Sequence, residues 1–190
     1  MSEIGKSLTD KSAADMTVDA KTAAQKSPFW RFSLKFYAAP GVAPACITLQ
    51  DEAGVDVNLL FFLLWNATVG RTLTESEVKD LDSMIGAWRN TAVIPLRQIR
   101  RALKTPPAML TPDVAETFRN RIKAVELEAE RLQQEAMYAL AQSGRFRGSA
   151  PTPVEAARAN VAAYQAVLRS FPPQPLEVVL AAFAKSAGNG

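Results

Sequence analysis

The clearest chemical signal in the sequence is a row of cations, here called the basic row: Arg97, Arg100, Arg101 and Lys104. At this spacing the four side chains share one face of a helix. The row has no carboxylate close to it in sequence, because no acidic residue occurs between Asp82 and Asp113. Guanidinium groups bind carboxylates and phosphates through paired hydrogen bonds. The basic row therefore predicts a surface for an acidic protein partner, with nucleic acid as a second class of ligand.

The charges of the basic row have an alternative interpretation. A run of like charges on a helix is usually solvated, or it is neutralised by neighbouring elements of the fold. The carboxylates available for this come from one later segment: Glu126, Glu128, Glu130 and Glu135. The sequence leaves both interpretations open.

A second candidate site combines polar and aromatic side chains from the first half of the chain: Trp30, Ser33, Tyr37, Gln50, Asn58 and Trp65. This mixture suits the pocket of a small helical enzyme, or of a carrier for an apolar or phosphorylated ligand. The alternative is a structural network, because buried polar side chains are commonly hydrogen-bonded within the fold. In that case we expect the amides of Asn58 and Asn66 to find partners in the same region: Arg31, Ser33 or Gln50.

Catalytic and metal-binding chemistry finds little support in the sequence. The chain contains no histidine and a single cysteine, Cys46, which excludes histidine-dependent triads, histidine zinc sites and internal disulfides. It also lacks a phosphate-binding glycine loop and the G-x-S-x-G and C-x-x-C motifs. We therefore expect no catalytic residue, no metal and no cofactor, and whether the protein is an enzyme stays open.

The elements that position these residues are predicted to be helices. Ser or Thr followed by Pro marks a helix start, because the hydroxyl group caps free backbone amides and proline fits the first helical position. The sequence has three such pairs at predicted helix starts: Ser27-Pro28, Thr111-Pro112 and Thr152-Pro153. Caps and apolar periodicity together predict helices over 28–38, 42–52, 56–69, 74–104, 112–143, 153–170 and 175–186. Pro95 lies inside the fourth helix and predicts a kink or break around 91–95. No segment alternates with the period of a strand.

The segment 56–69 is apolar around nearly its whole circumference, and Asp56 is placed to cap its start. Its longest apolar run, Leu59 to Trp65, is much shorter than the ~20 residues that span a bilayer. This pattern predicts a central helix of a core. The fold class that follows is all-α, a compact bundle of six to eight helices around the helix near 56–69.

The segment 112–143 is predicted to be an amphipathic helix. Its apolar residues recur at intervals of three and four, which predicts a buried face: Val114, Phe118, Ile122, Val125, Ala129, Leu132 and Ala136. The segment is long enough to pair in antiparallel fashion with the fourth helix, through the loop 105–111.

Residues 1–26 contain no aromatic residue and carry balanced charge, which predicts a mobile N-terminal tail before a single helical domain, 27–187. The tail lacks the apolar core of a signal peptide, so we expect a cytoplasmic protein without membrane attachment. The loop "GRFRG" at 144–148 offers Phe146 for stacking on single-stranded nucleic acid, although an ordinary interhelical loop is the simpler interpretation.

One segment also resembles a known family. "FWRFSLKFYAAPGVAPACITLQDEAGVDVNLLFFLLW", with the later Trp88 and "PLRQIRRALK", is similar to an uncharacterised family of small proteobacterial proteins of unknown function. The shared pattern is W-x-x-S, Y, P-G-V, C, L-Q, G, D-V-N-L-L and W, followed by W and P-L-R. The resemblance covers residues 29–104. It implies a proteobacterial source and brings no activity with it.

The hypothesis that the sequence favours is a non-enzymatic interaction or adaptor module. It would use the basic row to bind an acidic protein surface or an RNA-containing assembly. The sequence makes no prediction about the oligomeric state.

Overall fold

The computed structural model describes residues 26–168 and 170–188, so the predicted tail lies outside the described residues except for Lys26. The helices are α1 (Pro28–Tyr37), α2 (Val42–Ala53), α3 (Val57–Ala67), α4 (Glu75–Trp88), α5 (Ile94–Ala102), α6 (Pro112–Gln142), α7 (Pro153–Leu168) and α8 (Pro173–Ala187). Helices α4 and α5 are continuous through a π-helical turn, Arg89–Val93. The predicted all-α bundle is confirmed.

The helix starts follow the local capping signals in most cases. The Ser27 hydroxyl accepts a hydrogen bond from the Trp30 amide at 3.1 Å, and Thr74 with Glu77 forms a full capping box. Thr111 differs, because its side chain makes no capping hydrogen bond. Helix α8 begins two residues earlier than predicted, at Pro173, since proline is preorganised for the first helical position.

The irregularity predicted near Pro95 is a π-helical turn. The amide of Ile94 donates to the carbonyl of Arg89, five residues earlier, instead of four. Proline cannot donate to the preceding turn, and the wider π turn lets the helix continue without that donor. The chain therefore passes from α4 into α5 without breaking.

Helix α3 lies at the centre of the core. Every residue from Leu59 to Leu64 is buried, and the helix packs against α1, α6 and α7. Helix α7 also packs on α4, and α8 packs on α2. The predicted central helix is confirmed. Within the described residues, no helix combines the length and the hydrophobicity needed to cross a membrane.

A short antiparallel ladder ties the loop after α6 to the loop after α3. Strand β1 (Arg71–Thr72) pairs with β2 (Gly148–Ser149). Two-residue strands are too short to leave a period of two in the sequence. A Cβ atom at Gly148 would overlap the Thr72 hydroxyl group and lie 2.6 Å from the Thr72 carbonyl oxygen, so only glycine fits. Phe146, just before β2, is buried against Phe62 and is not available to stack on a base.

The predicted buried face of α6 is largely wrong. Five of its members are exposed: Val114, Phe118, Val125 and Leu132, with exposed fractions of 55%, 47%, 52% and 44%, and Ala136. The buried side of the helix is instead partly polar: Ala115, Glu126, Ala129, Gln133, Gln134, Met137 and Ala141. Its polar members have partners on other helices, so they can be buried while the apolar row faces outward.

Candidate functional site

The basic row lies on α5 and on the turn that follows it. Helix α5 has no buried residue and packs chiefly against α6. The two helices form a hairpin that turns through residues 103–111. The row therefore divides according to which of its side chains face α6.

Arg97 and Arg100 face α6 and form ion pairs there. Arg97 donates to Glu126 at 3.0 Å and to Glu130 at 2.6 Å. Arg100 donates to both carboxylate oxygens of Glu126, one of them at 3.1 Å. Glu126 is buried, so these arginines are its charge partners. Two of the four cations of the basic row are therefore neutralised within the fold.

The remaining predicted carboxylates bind elsewhere. Glu128 pairs with Arg131 on its own helix at 2.6 Å. Glu135 accepts a hydrogen bond from the backbone amide of Ser27 at 3.0 Å, which fixes the start of α1 against α6.

The ion pairs between α5 and α6 perturb the pKa values of their members. The hydrogen bonds that Arg100 donates to Glu126 raise the pKa of Arg100. Burial raises the pKa of Glu130, although Arg97 acts in the opposite direction. Burial also raises the pKa of Tyr37, whose hydroxyl lies within the electrostatic reach of Glu130 and Arg97. Tyr37 is thus placed beside this cluster instead of lining a closed pocket.

Arg101 and Lys104 form no ion pair with α6 among the described residues. Arg101 pairs with Asp51 at 2.9 Å, and both side chains are 44% exposed. The hydrogen bond from Arg101 lowers the pKa of Asp51. Lys104 is exposed and makes no ion pair with the described residues. The outward half of the basic row thus consists of one loosely held arginine and one free lysine within the described part of the chain.

Apolar side chains are exposed around the same turn of the hairpin. Ile99 and Met109 both lie at the surface, and Met109 is 87% exposed. A shallow open cleft of about 550 Å³ lies beside the start of α6, and its lining residues are Leu110, Asp113, Val114, Thr117, Phe118 and Arg121. We call the exposed surface formed by Ile99, Arg101, Lys104 and Met109 the hairpin tip.

The residues of the second candidate site are dispersed. Trp30 and Ser33 are buried, whereas Tyr37 is exposed and Gln50 is half-buried. Trp65 packs in an aromatic group with Phe29, Phe62 and Tyr138. The Trp30 indole nitrogen and the Ser33 hydroxyl have no hydrogen-bond partner among the described residues.

The expected partners of the two asparagines are wrong. Asn58 accepts a hydrogen bond from Gln134 at 2.7 Å. Asn66 donates to the Phe62 carbonyl at 2.9 Å and accepts from Arg71 at 3.0 Å. These partners lie on α6, in the preceding turn of α3 and on β1. The prediction considered residues close to α3 in sequence, whereas α3 also packs against elements that are distant in sequence.

A polar cluster around Asp56 is absent from the sequence-based prediction, which gave Asp56 only a capping role. The Asp56 carboxylate accepts from the amides of Asn58 and Leu59 and thereby caps α3. It also accepts from Arg89 at 3.1 Å and from Gln133 at 2.8 Å, while its own amide donates to the Tyr164 hydroxyl at 2.9 Å.

The Asp56 cluster joins α3, the π-helical turn, α6 and α7. Arg89 completes it with a second ion pair, to Asp82, at 2.7 Å. Burial raises the pKa of Tyr164, so its hydroxyl stays protonated. Because its members are spread over more than 100 residues of sequence, no local spacing signals the cluster. Each carboxylate has a cation or amide partner, which fits a structural role.

Reactive groups are scarce in the described residues. Burial raises the pKa of Cys46 to about 12, so its thiol is protonated and unreactive at neutral pH. No three acidic or cysteine side chains in the described part of the chain are grouped to hold a metal ion. The exposed cations of the hairpin tip are surface groups that can still bind a ligand.

Comparisons with known proteins bear on the family alone. No curated protein and no solved structure matched the chain. A family model matches residues 28–137, which extends the resemblance seen over 29–104 to include most of α6. The matched part contains the basic row and most of the Asp56 cluster, whereas α7 and α8 follow it. The chain belongs to the family described as "Protein of unknown function (DUF2390)".

Proposed function

We propose that this protein is a non-enzymatic interaction module that binds an acidic segment of a protein partner at the hairpin tip. Arg101 and Lys104 would bind carboxylates of the partner, and Ile99 and Met109 would contact its apolar side chains. The observation that carries the proposal is the exposure of Arg101 and Lys104 at the end of the hairpin that also exposes Ile99 and Met109.

The existing partner of Arg101 is easily exchanged. Its ion pair with Asp51 is 44% exposed on both sides, and exposed pairs contribute about 0–1 kcal/mol. A carboxylate of another protein can therefore replace Asp51 at little cost. Lys104 needs no such exchange, since it has no ion-pair partner among the described residues.

The composition of the hairpin tip is that of a protein interface. Arginine and methionine are enriched at such interfaces, where apolar contacts supply affinity and charges supply specificity. Met109 is the most exposed large apolar residue of the described chain. No carboxylate occurs in sequence between 83 and 112, so α5 and the turn repel no acidic partner.

A protein partner fits this surface better than nucleic acid does. Binding to nucleic acid depends on neutralising several phosphates. Glu126 and Glu130 already neutralise Arg97 and Arg100, which leaves two cations of the row facing outward. Phe146 is buried, so the "GRFRG" loop supplies no aromatic platform for a base.

The test is affinity isolation from the native cell extract, with and without nuclease, using three forms of the protein. They are the wild type, the charge-reversed Arg101→Glu/Lys104→Glu variant and a control, Arg158→Glu/Lys185→Glu. The control is matched, because Arg158 also forms an exposed ion pair, with Glu177, and Lys185 is also exposed. A photo-crosslinker at position 104 or 185 then identifies the segment that is contacted.

We expect a specific protein that survives nuclease treatment, binds the wild type and the control, and is lost from the charge-reversed variant. Crosslinks from position 104 should map to an acidic segment of that protein. Equal recovery by all three forms would refute the hairpin tip as the binding site. Loss of all recovered material after nuclease treatment would show instead that the ligand is nucleic acid.

A further inference from the structure

The exposed apolar residues of α6 form a continuous line that no described element covers. They are Val114, Phe118, Val125 and Leu132, here called the exposed stripe, and each is between 44% and 55% exposed. The stripe extends over 19 residues of helix, from Val114 to Leu132, or about 27 Å at 1.5 Å per residue. Single exposed apolar residues are ordinary, but a line of this length marks an interaction surface.

The spacing within the exposed stripe gives one line of apolar residues with charges beside it. Phe118, Val125 and Leu132 follow one another at intervals of seven residues. Each heptad of a paired helix has two core positions, and the stripe fills one of them while Arg121 and Glu128 occupy the other. The ligand that the stripe fits is therefore a long helix that brings apolar side chains in line and charges opposite to those of Arg121 and Glu128.

The charges beside the stripe are arranged asymmetrically along α6. Arg121 lies in the first half, is exposed and forms no ion pair with the described residues. Glu128 and Glu135 lie in the second half, and the Glu128 side chain is more than half exposed even though it pairs with Arg131. A second α6 in antiparallel orientation would set cations against carboxylates, whereas a parallel one would set like charges together.

We propose that a second copy of this chain docks on the exposed stripe, with the two α6 helices antiparallel about a two-fold axis near Val125. Such an axis brings Phe118 of one copy opposite Leu132 of the other. It also brings Arg121 of each copy within one helical turn of Glu128 of the other. The same face of α6 then forms the interface in both copies, as in any isologous two-fold interface.

The cleft beside the start of α6 agrees with this arrangement. Val114, Phe118 and Arg121 form part of its wall, at the end of the stripe. In the antiparallel pair the Leu132 side chain of the second copy falls at this end and fills the cleft. The interface uses none of the cations of the hairpin tip, so this proposal can be tested independently of the partner proposed there.

The first test is the oligomeric state, measured by sedimentation equilibrium of the full chain at about 1–100 µM, a range that covers small interfaces. We expect a monomer–dimer equilibrium whose dissociation constant rises about tenfold or more in Val125→Glu. Ile47→Glu is the matched control, because Ile47 is a similarly exposed apolar residue on α2. A monomer over the whole range, or equal effects of the two substitutions, would overturn the proposal.

The second test determines the orientation through disulfide formation in mild oxidant. Val125→Cys should form a disulfide between copies, because it lies at the two-fold axis. Phe118→Cys should crosslink to Leu132→Cys in a mixture of the two variants and not to itself. Cys46 is buried and does not interfere. Efficient self-crosslinking of Phe118→Cys would show a parallel pair and contradict the proposed geometry.

A charge exchange completes the design. Arg121→Glu should weaken the dimer, and the double variant Arg121→Glu/Glu128→Arg should restore it, because an antiparallel pair exchanges the two positions. Failure of the double variant to recover affinity, with its helical content unchanged, would refute the predicted contact.

Discussion

Helix α3 and the α5–α6 hairpin show opposite ways of using an apolar helix. In α3 the apolar residues are buried on all sides, and its amides find partners inside the fold. In the hairpin the apolar line of α6 faces outward, and the contact with α5 is made by ion pairs. Stability is therefore concentrated around α3, whereas the hairpin has surface available for partners. Substitutions in the two regions should have very different consequences.

The largest difference is expected between two phenylalanines. Phe62→Ala should reduce the free energy of unfolding by about 3–5 kcal/mol, because it empties a fully buried site beside Phe29, Trp65 and Phe146. Phe118→Ala should change it by less than about 0.5 kcal/mol, because this side chain is half exposed. Urea denaturation at low protein concentration measures both. Similar losses for the two variants would contradict the contrast between the regions.

The next difference is expected between two ion pairs. Asp56→Asn should cost about 3 kcal/mol, since it leaves Arg89 without one of two carboxylate partners while the Asn oxygen can still cap α3. Asp51→Asn removes the exposed partner of Arg101 and should have almost no effect. Denaturation curves for the two variants measure the loss of unfolding free energy in each. A mild Asp56→Asn phenotype would show that Asp82 alone satisfies Arg89.

Gly148→Ala tests the ladder that links the loops beside α3 and α6. The added methyl group would overlap Thr72, whose carbonyl oxygen lies 2.6 Å from the Cβ position. We expect a loss of about 1–3 kcal/mol, typical of overpacking. Gly144→Ala is an informative comparison, because it has open space around its Cβ position and its cost is limited to backbone strain at a positive φ of 72°. Thermal denaturation should rank Gly148→Ala as the more damaging change.

The smallest effect concerns the pH dependence of the hairpin. The pKa of Glu130 is raised in the folded state, so its contribution is most favourable below the unfolded pKa and is lost as the pH rises through the folded pKa. As the pH increases above about 4.5, the free energy of unfolding of the wild type should therefore fall relative to that of Glu130→Gln. Denaturation from pH 4 to pH 7 measures this. A difference that moves in favour of the wild type would show that Arg97 outweighs burial.

The fold was predictable where the signals are local. Asp56 as a cap, the run Leu59 to Trp65 and the irregularity near Pro95 each follow from a few adjacent residues, and the structure contains all three. The buried face of α6 was not predictable from periodicity. Glu126 becomes a buried residue only because Arg97 and Arg100 reach it across the hairpin, 29 and 26 residues away in sequence.

The candidate site shows the same division. The helical spacing of the basic row is a local property, and three of the four cations lie on one helix, α5, with Lys104 in the turn that follows it. Which of them are neutralised depends on the packing of α5 against α6, and no spacing within the row distinguishes Arg100 from Arg101. The partners of Asn58 and Asp56 on α6 escaped prediction for the same reason.

The π-helical turn Arg89–Val93 determines how the hairpin responds to a change in chain length. A π turn holds about one more residue than the corresponding α-helical turn, so each of its residues advances less around the axis. Deleting a single residue from 89–93 would therefore convert the segment into an ordinary α-helical turn and leave the angular phase of α5 almost unchanged. Arg97 and Arg100 would still face Glu126. The π turn is thus a place where the chain can lose a residue and keep the ion pairs of the hairpin.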